Sequence, residues 1–186
     1  MPTLEEEVEK GQPKIALVGP PRVGKSSRVD VIEDLTHLGI ERARKYKYRP
    51  GGQWKDDGSK KDSIPVKNAR DLQKLRTSGK VAFEYPSVDT VHLIDKNDAK
   101  RTDKPLIYIS DTYNGAPAYM INFPNLVTYF LYTTPQIIEE RLKRANMPRS
   151  QIKARLSFFM QELSLYMQHA AEFHFPIFTR QREFYP

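Results

Sequence analysis

The sequence predicts an α/β fold: a central, mainly parallel sheet with helices packed on its faces. Through the second half of the 186-residue chain, apolar runs of strand length alternate with helical patterns, and such alternation implies parallel strands joined by crossover helices. Residues 14–19 (KIALVG) form a short apolar run ending in glycine, as expected of a parallel strand buried on both faces. One glycine-rich, basic segment interrupts the alternation and marks a smaller lobe set into a single domain.

The elements are expected in the following order. Residues 1–13 read as a polar tail. The strand at 14–19 leads into a helix from Lys25 to about Leu38, which Gly39 stops. Residues 41–67 hold Pro50, Gly51, Gly52, Gly58 and Pro65 among many charges and read as loops with short strands. A helix spans 68–78, capped by Asn68, with Leu72 and Leu75 facing inward and Gly79 ending it. Residues 81–85 and 91–95 are strand candidates, and 105–110 (PLIYIS) is a strand. A short helix covers 115–123, and 126–132 (LVTYFLY) is a buried strand. Thr134 caps the next helix, with Pro135 at its first position. A long helix starts at Ser150, where Ile152, Leu156, Phe159, Leu163 and Tyr166 make one apolar stripe that Met160 and Met167 widen. Residues 175–179 form a last strand. The whole reads as one domain, 1–186, with a core of about 14–40 and 100–180, a small lobe of about 41–95 and a lid of about 141–156.

Composition bounds the function classes. Hydrophobic residues make up 39% and charged residues 28%, which is globular rather than disordered. No apolar run approaches the roughly 18 residues that span a bilayer, so no membrane partner is expected. The first ten residues are acidic and lack the apolar stretch of a secretory signal. The chain contains no cysteine, which excludes disulfides, thiolate metal sites and cysteine nucleophiles, and a cytoplasmic location is the expectation. The net charge is +7, and residues 41–80 hold 13 Lys and Arg against 5 Asp and Glu while the rest holds 17 against 18. The excess positive charge therefore lies in one segment, which points to an anionic partner.

Gly19-Pro20-Pro21-Arg22-Val23-Gly24-Lys25-Ser26 fits the phosphate-binding pattern G-x-x-x-x-G-K-[ST]. The glycines let the backbone curl so that successive N–H groups face one anion. The helix that starts at Lys25 adds its free amides and dipole. Lys25 supplies a mobile charge for the β- and γ-phosphates of a triphosphate, and Ser26 a hydroxyl for Mg²⁺. Gly19, Val23, Gly24, Lys25, Ser26 and Ser27 are thus the expected nucleotide-binding residues. The fold reads as a P-loop three-layer architecture, with ATP and Mg²⁺ as the expected cofactors. Pro21 cannot donate an amide but sits early in the loop.

Beyond this loop the sequence resembles the guanylate kinase family of nucleoside monophosphate kinases. The likeness rests on Tyr48-Arg49-Pro50-Gly51-Gly52 with Asp57-Gly58, on residues 79–85 (GKVAFEY), on residues 109–116 (ISDTYNGA), and on Glu140-Arg141-Leu142-Lys143-Arg144 followed by residues 152–156 (IKARL). It runs from about 14 to 180 in the family's order. The resemblance implies phosphoryl transfer from ATP to a nucleoside monophosphate, with GMP or dGMP the first expectation. Arg141, Arg144 and Arg155 would act as lid arginines beside Lys25, Arg49 would hold the acceptor phosphate, Glu84 would read the guanine edge, and Asp111 would support Mg²⁺. This sequence departs from the family where Tyr46 stands in place of the first phosphate-binding arginine, with Lys45 or Lys47 as substitutes. The family's later phosphate-binding tyrosine falls near His92 or Leu93.

Residue chemistry agrees with these roles and leaves alternatives open. Phosphoryl transfer asks mainly for positioning and charge neutralisation, and an anionic acceptor needs no general base. Arg141 and Arg144, three apart, share a helix face, which is either a lid or a solvated basic face. Asp111 at a strand end suits a Mg²⁺ water ligand or a helix cap. Glu84 either accepts two hydrogen bonds from guanine or is an exposed edge charge. Tyr46, Tyr48 and Trp54 stack on a base or pack the small lobe. The four histidines read as structural or solvent-facing, with only His92 near the expected site. A GTPase is disfavoured, because neither Asp95-Lys96-Asn97-Asp98 nor Asp111-Thr112-Tyr113-Asn114 gives the guanine motif. The remaining alternative is a nucleotide-binding module for a protein or nucleic acid, the latter not favoured, since 41–80 carries no known nucleic-acid motif. The sequence does not set an oligomeric state.

Overall fold

A computed structural model describes residues 14–29, 40–51, 63–87, 90–110 and 112–179. The expected tail 1–13, the second part of the first helix, Trp54, Asp57-Gly58 and Asp111 lie outside the described residues.

The strands are β1 (Lys14–Val18), β2 (Glu41–Arg42), β3 (Lys45–Tyr48), β4 (Ser63–Val66), β5 (Val81–Ser87), β6 (Thr90–Asp95), β7 (Leu106–Ser110), β8 (Leu126–Tyr132) and β9 (Phe175–Phe178). Five of them form the main sheet in the order β2-β7-β1-β8-β9, and every pairing in it is parallel. The mixed α/β class with a parallel central sheet is therefore as the sequence predicts. The apolar runs that gave β1, β7 and β8 are its middle strands, and Ala16, Val18, Leu106, Ile107, Phe130 and Leu131 are almost completely buried there.

A second sheet of four strands, ordered β4-β3-β6-β5, comes from the basic segment. Its β3–β6 and β6–β5 pairings are antiparallel, while β3 and β4 run parallel. One face packs Leu93, Tyr46, Tyr48 and Val91 against Leu72 and Leu75. The other packs Phe83, Tyr85 and Ile94 into the main core with Tyr108, Tyr119 and Phe123.

Helix α1 begins at Lys25 and is described through residue 29. Helix α2 (Ala69–Thr77) is capped by Asn68, whose side chain accepts from the Asp71 amide at 2.8 Å. The five-residue α3 (Lys96–Lys100) is absent from the sequence expectation; Asp95 starts it by accepting from the amides of Asn97 and Asp98. Helices α4 (Gly115–Asn122), α5 (Pro135–Arg144) and α6 (Arg149–Gln168) follow. Thr134 caps α5 with Pro135 in its first turn, as expected. No helix among the described residues is long and apolar enough to cross a membrane.

One expectation fails on α6. Met160 and Met167 do not widen the core stripe; they are 48% and 52% exposed. The buried residues of the helix are Ile152, Phe159, Glu162 and Tyr166, so the carboxylate of Glu162 occupies the flank that periodicity assigned to the methionines. Glu162 is buried because it accepts the Tyr113 amide at 2.6 Å, a role that hydropathy alone does not reveal.

Candidate functional site

The turn between β1 and α1 carries the phosphate-binding pattern. Val18 pairs with Ser110 on one side and Phe130 on the other, so the turn emerges at the C-terminal edge of the central strand, the usual ligand edge of such sheets. Gly19 has φ +143° and Gly24 φ +97°. A Cβ on Gly19 would run into the Leu131 carbonyl of β8, so only glycine fits the exit from β1. Arg22, a non-glycine, also holds a left-handed φ of +67°, a strained conformation of the kind that clusters at ligand clamps. Val23 is fully buried with Leu17, Val29, Leu131, Ile138 and Leu142, which pins the loop to β8 and α5.

Within this loop Lys25 is 3% exposed, and its ammonium donates to the carbonyls of Gly19 at 2.8 Å and Pro20 at 2.7 Å. Ser26 and Ser27 follow on the exposed side of the helix start. Arg42, at the end of β2, donates to the Ser26 carbonyl at 3.3 Å.

Burial of Ile138 and Leu142 fixes the face that α5 turns to the loop. It carries Arg141 onto the loop, where its guanidinium donates to the Arg22 carbonyl at 2.7 Å and lies beside Gly24. Burial, and then the nearby charge of Arg28, lowers the pKa of Arg141. A partly desolvated arginine beside another cation favours an incoming anion. Arg144 and Arg155 are exposed; only Arg141 of the three is placed on the loop.

The loop after β7 is held from α6. Tyr166 donates to the Thr112 carbonyl at 2.8 Å, Ser110 donates to the same carbonyl at 2.9 Å, and Glu162 accepts from Tyr113. A Cβ on Gly115 would run into the Ser110 hydroxyl and crowd the Tyr85 ring. Asp111, the expected metal-side residue, is outside the described residues. Mg²⁺ keeps several waters and is typically bound through one or two protein oxygens plus substrate phosphates; Ser26 is the described residue placed to give one.

The small sheet separates residues that the sequence grouped together. Lys47, His92 and Tyr85 lie side by side across β3, β6 and β5, and Tyr46, Leu93 and Glu84 form the next row. Side chains alternate along a strand, so the two rows face opposite ways. Lys45, on the first face, donates to the Ile109 carbonyl near the end of β7 at 3.0 Å, and Tyr85 meets the Tyr119 hydroxyl at 3.1 Å. That face therefore overlooks the edge where the loop begins.

The second face looks toward α2. Glu84 is gripped there by Arg76 through two hydrogen bonds of 2.8 Å, and Tyr46 donates to Asp95 at 2.8 Å. Burial and then Asp95 raise the Tyr46 pKa. Arg49 sits just beyond β3. The other histidines are local: His174 hydrogen-bonds Thr128, and His169 meets Glu172. Sequence reasoning missed Arg22, Arg28 and Arg42 around the loop and Glu162 beneath the next one. The first three follow from nothing in the motif beyond its basic neighbourhood, and Glu162 stands out only as a charge inside an apolar stripe.

No family model matches the chain, and no curated protein matches it. Among solved structures it is similar to the crystal structure of guanylate kinase from Anaplasma phagocytophilum, with a TM-score of 0.61, 15% sequence identity, and coverage of 92% of this chain and 78% of that one. At that identity the likeness speaks for the fold alone.

Proposed function

We propose that this chain transfers a phosphoryl group from ATP, with Mg²⁺, to a nucleoside monophosphate. The observation that carries this reading is Arg141 seated on the loop of residues 19–26 beside Lys25. ATP with Mg²⁺ would supply the transferable group. Loop amides and Lys25 would hold its phosphates, Ser26 would give the metal an oxygen, and Val23 would keep the loop fixed to the core. Arg141 would neutralise charge that grows during transfer, from a partly buried position where that charge is poorly screened. Arg144 and Arg155 would join only if the segment around 141–156 folds further over the loop, as a lid does. GMP or dGMP remains the first acceptor to try.

A second reading has one observation in its favour. Glu84 and Tyr46, both assigned to the acceptor, are engaged by Arg76 and Asp95. A domain that binds nucleotide but serves as a protein- or nucleic-acid-binding module would need neither residue for an acceptor. A coupled ADP-release assay with ATP, Mg²⁺ and a panel of ribo- and deoxynucleoside monophosphates separates the two. The kinase reading expects ADP release that depends on one or more monophosphates. A rate that no monophosphate raises above the ATP-only background would favour the module.

A further inference from the structure

We propose that the acceptor's anionic group is held by Lys47 and His92, beside the Tyr85 ring, and that the acceptor is selected by its charge rather than by a carboxylate reading its base. The inference rests on the phosphoryl-transfer reading and names the acceptor side of the same site. Transfer needs the acceptor anion in line with the end of the triphosphate, on the side of the small sheet that overlooks the loop. The register puts Lys47 and His92 on that side as direct neighbours across β3 and β6. Lys45 on the same face already reaches the end of β7. His92 is buried and stacked on Tyr85 with ring centroids 5.0 Å apart and planes within 8°. Stacking fixes the imidazole plane, so a ring N–H is held in direction. An ammonium and an imidazole N–H are the donors that a phosphate monoester accepts.

Base selection by a carboxylate is argued against by the same register. The described residues of the four small-sheet strands include two carboxylates, Glu84 and Asp95. Glu84 lies on the opposite face in a fork with Arg76. Asp95 accepts from Tyr46 and from the Asn97 and Asp98 amides, which commits both its oxygens. Neither is placed to meet the N1–H and amino edge of a guanine on the Lys47 side.

The test uses the full chain with ATP and Mg²⁺ and measures KM for GMP, AMP, CMP and UMP. Lys47→Met and His92→Gln should each raise the KM of every accepted monophosphate by about 10-fold or more, as expected for loss of a charged hydrogen bond. The KM for ATP should stay unchanged, and Lys47→Arg should restore most of the affinity. Glu84→Gln should leave the ranking of the four unchanged. If His92→Gln melts below the assay temperature, the Lys47 pair of variants decides alone. Near-normal acceptor KM in Lys47→Met, or a penalty confined to GMP in Glu84→Gln, overturns the inference while the phosphoryl-transfer reading stands. Absence of turnover with any monophosphate in the wild-type chain overturns both.

Discussion

The loop of residues 19–26 and the small sheet that faces it differ in how their chemistry is specified. In the loop, every group that matters comes from eight consecutive residues and the strand and helix on either side. Glycine dihedrals, a lysine at the helix start and an apolar anchor at Val23 produce the geometry locally. In the small sheet, function depends on which face a side chain takes. That is set by pairings between strands 30 to 50 residues apart in sequence. A shift of one residue in any of them would move Glu84 and His92 to the opposite faces. Local motifs survive in a single sequence; facing relations do not.

The largest expected effect lies in the loop. Lys25→Ala should lower kcat by roughly 10²-fold or more, because the ammonium acts on charge that develops in the transition state. Its melting temperature should stay close to wild type. Steady-state kinetics with a calorimetric scan check both. Near-normal turnover would break the comparison at its firmer end.

Arg141→Ala should follow, with kcat lower by about 10-fold and little change in acceptor KM. A change in acceptor KM alone would move Arg141 from the triphosphate to the other partner. Arg144→Ala, measured alongside, shows whether an exposed arginine three residues on takes part.

A third test concerns the junction of the two regions. Asp98 is 1% exposed and accepts from the Arg44 amide at 2.6 Å and from the Arg44 guanidinium at 3.2 and 3.3 Å. Arg101, close to Asp98, also reaches Glu41 of β2, so the cluster ties the base of the small sheet to the main one. Asp98→Asn keeps the shape but removes the charge, and should cost about 2 kcal/mol of unfolding free energy, read by denaturant titration. Nucleotide binding to the loop should survive at low temperature.

The smallest effect is pH-dependent. Hydrogen bonds from Lys104 and then Arg101 lower the Glu41 pKa below its ordinary value of 4.5. A carboxylate with a depressed folded-state pKa stabilises above its unfolded pKa and loses that contribution as pH falls through the folded value. Glu41→Gln should therefore lower stability at neutral pH by less than about 1 kcal/mol, since the group is largely solvated. The difference from wild type should shrink to nothing in acid, and a pH series of melting temperatures measures it.

Much of the fold was legible for the same reason the loop was. The main strands announced themselves as apolar runs, and Asn68, Thr134 and Pro135 marked helix starts through short-range hydrogen bonds and a fixed φ. The helix at 96–100 was not legible, because it depends on Asp95 capping a stretch with no apolar period. Met160 and Met167 misled because periodicity cannot tell a core flank from an exposed one when a buried glutamate, Glu162, takes the inner place. On the small sheet, Lys47 and His92 were visible only as residues near an expected site. Glu84 was assigned from a resemblance in sequence order, which carries no information about facing or about Arg76 as its partner.

The central claim is that a triphosphate held on this loop gives its terminal phosphoryl group to a nucleoside monophosphate rather than to water. Phosphorus-31 NMR of the chain with ATP, Mg²⁺ and GMP, AMP, CMP or UMP follows the group directly. The account predicts ADP and a nucleoside diphosphate of the acceptor rising together, one for one, with inorganic phosphate far behind. ADP accompanied by an equal amount of inorganic phosphate, with no new diphosphate for any acceptor, would contradict it.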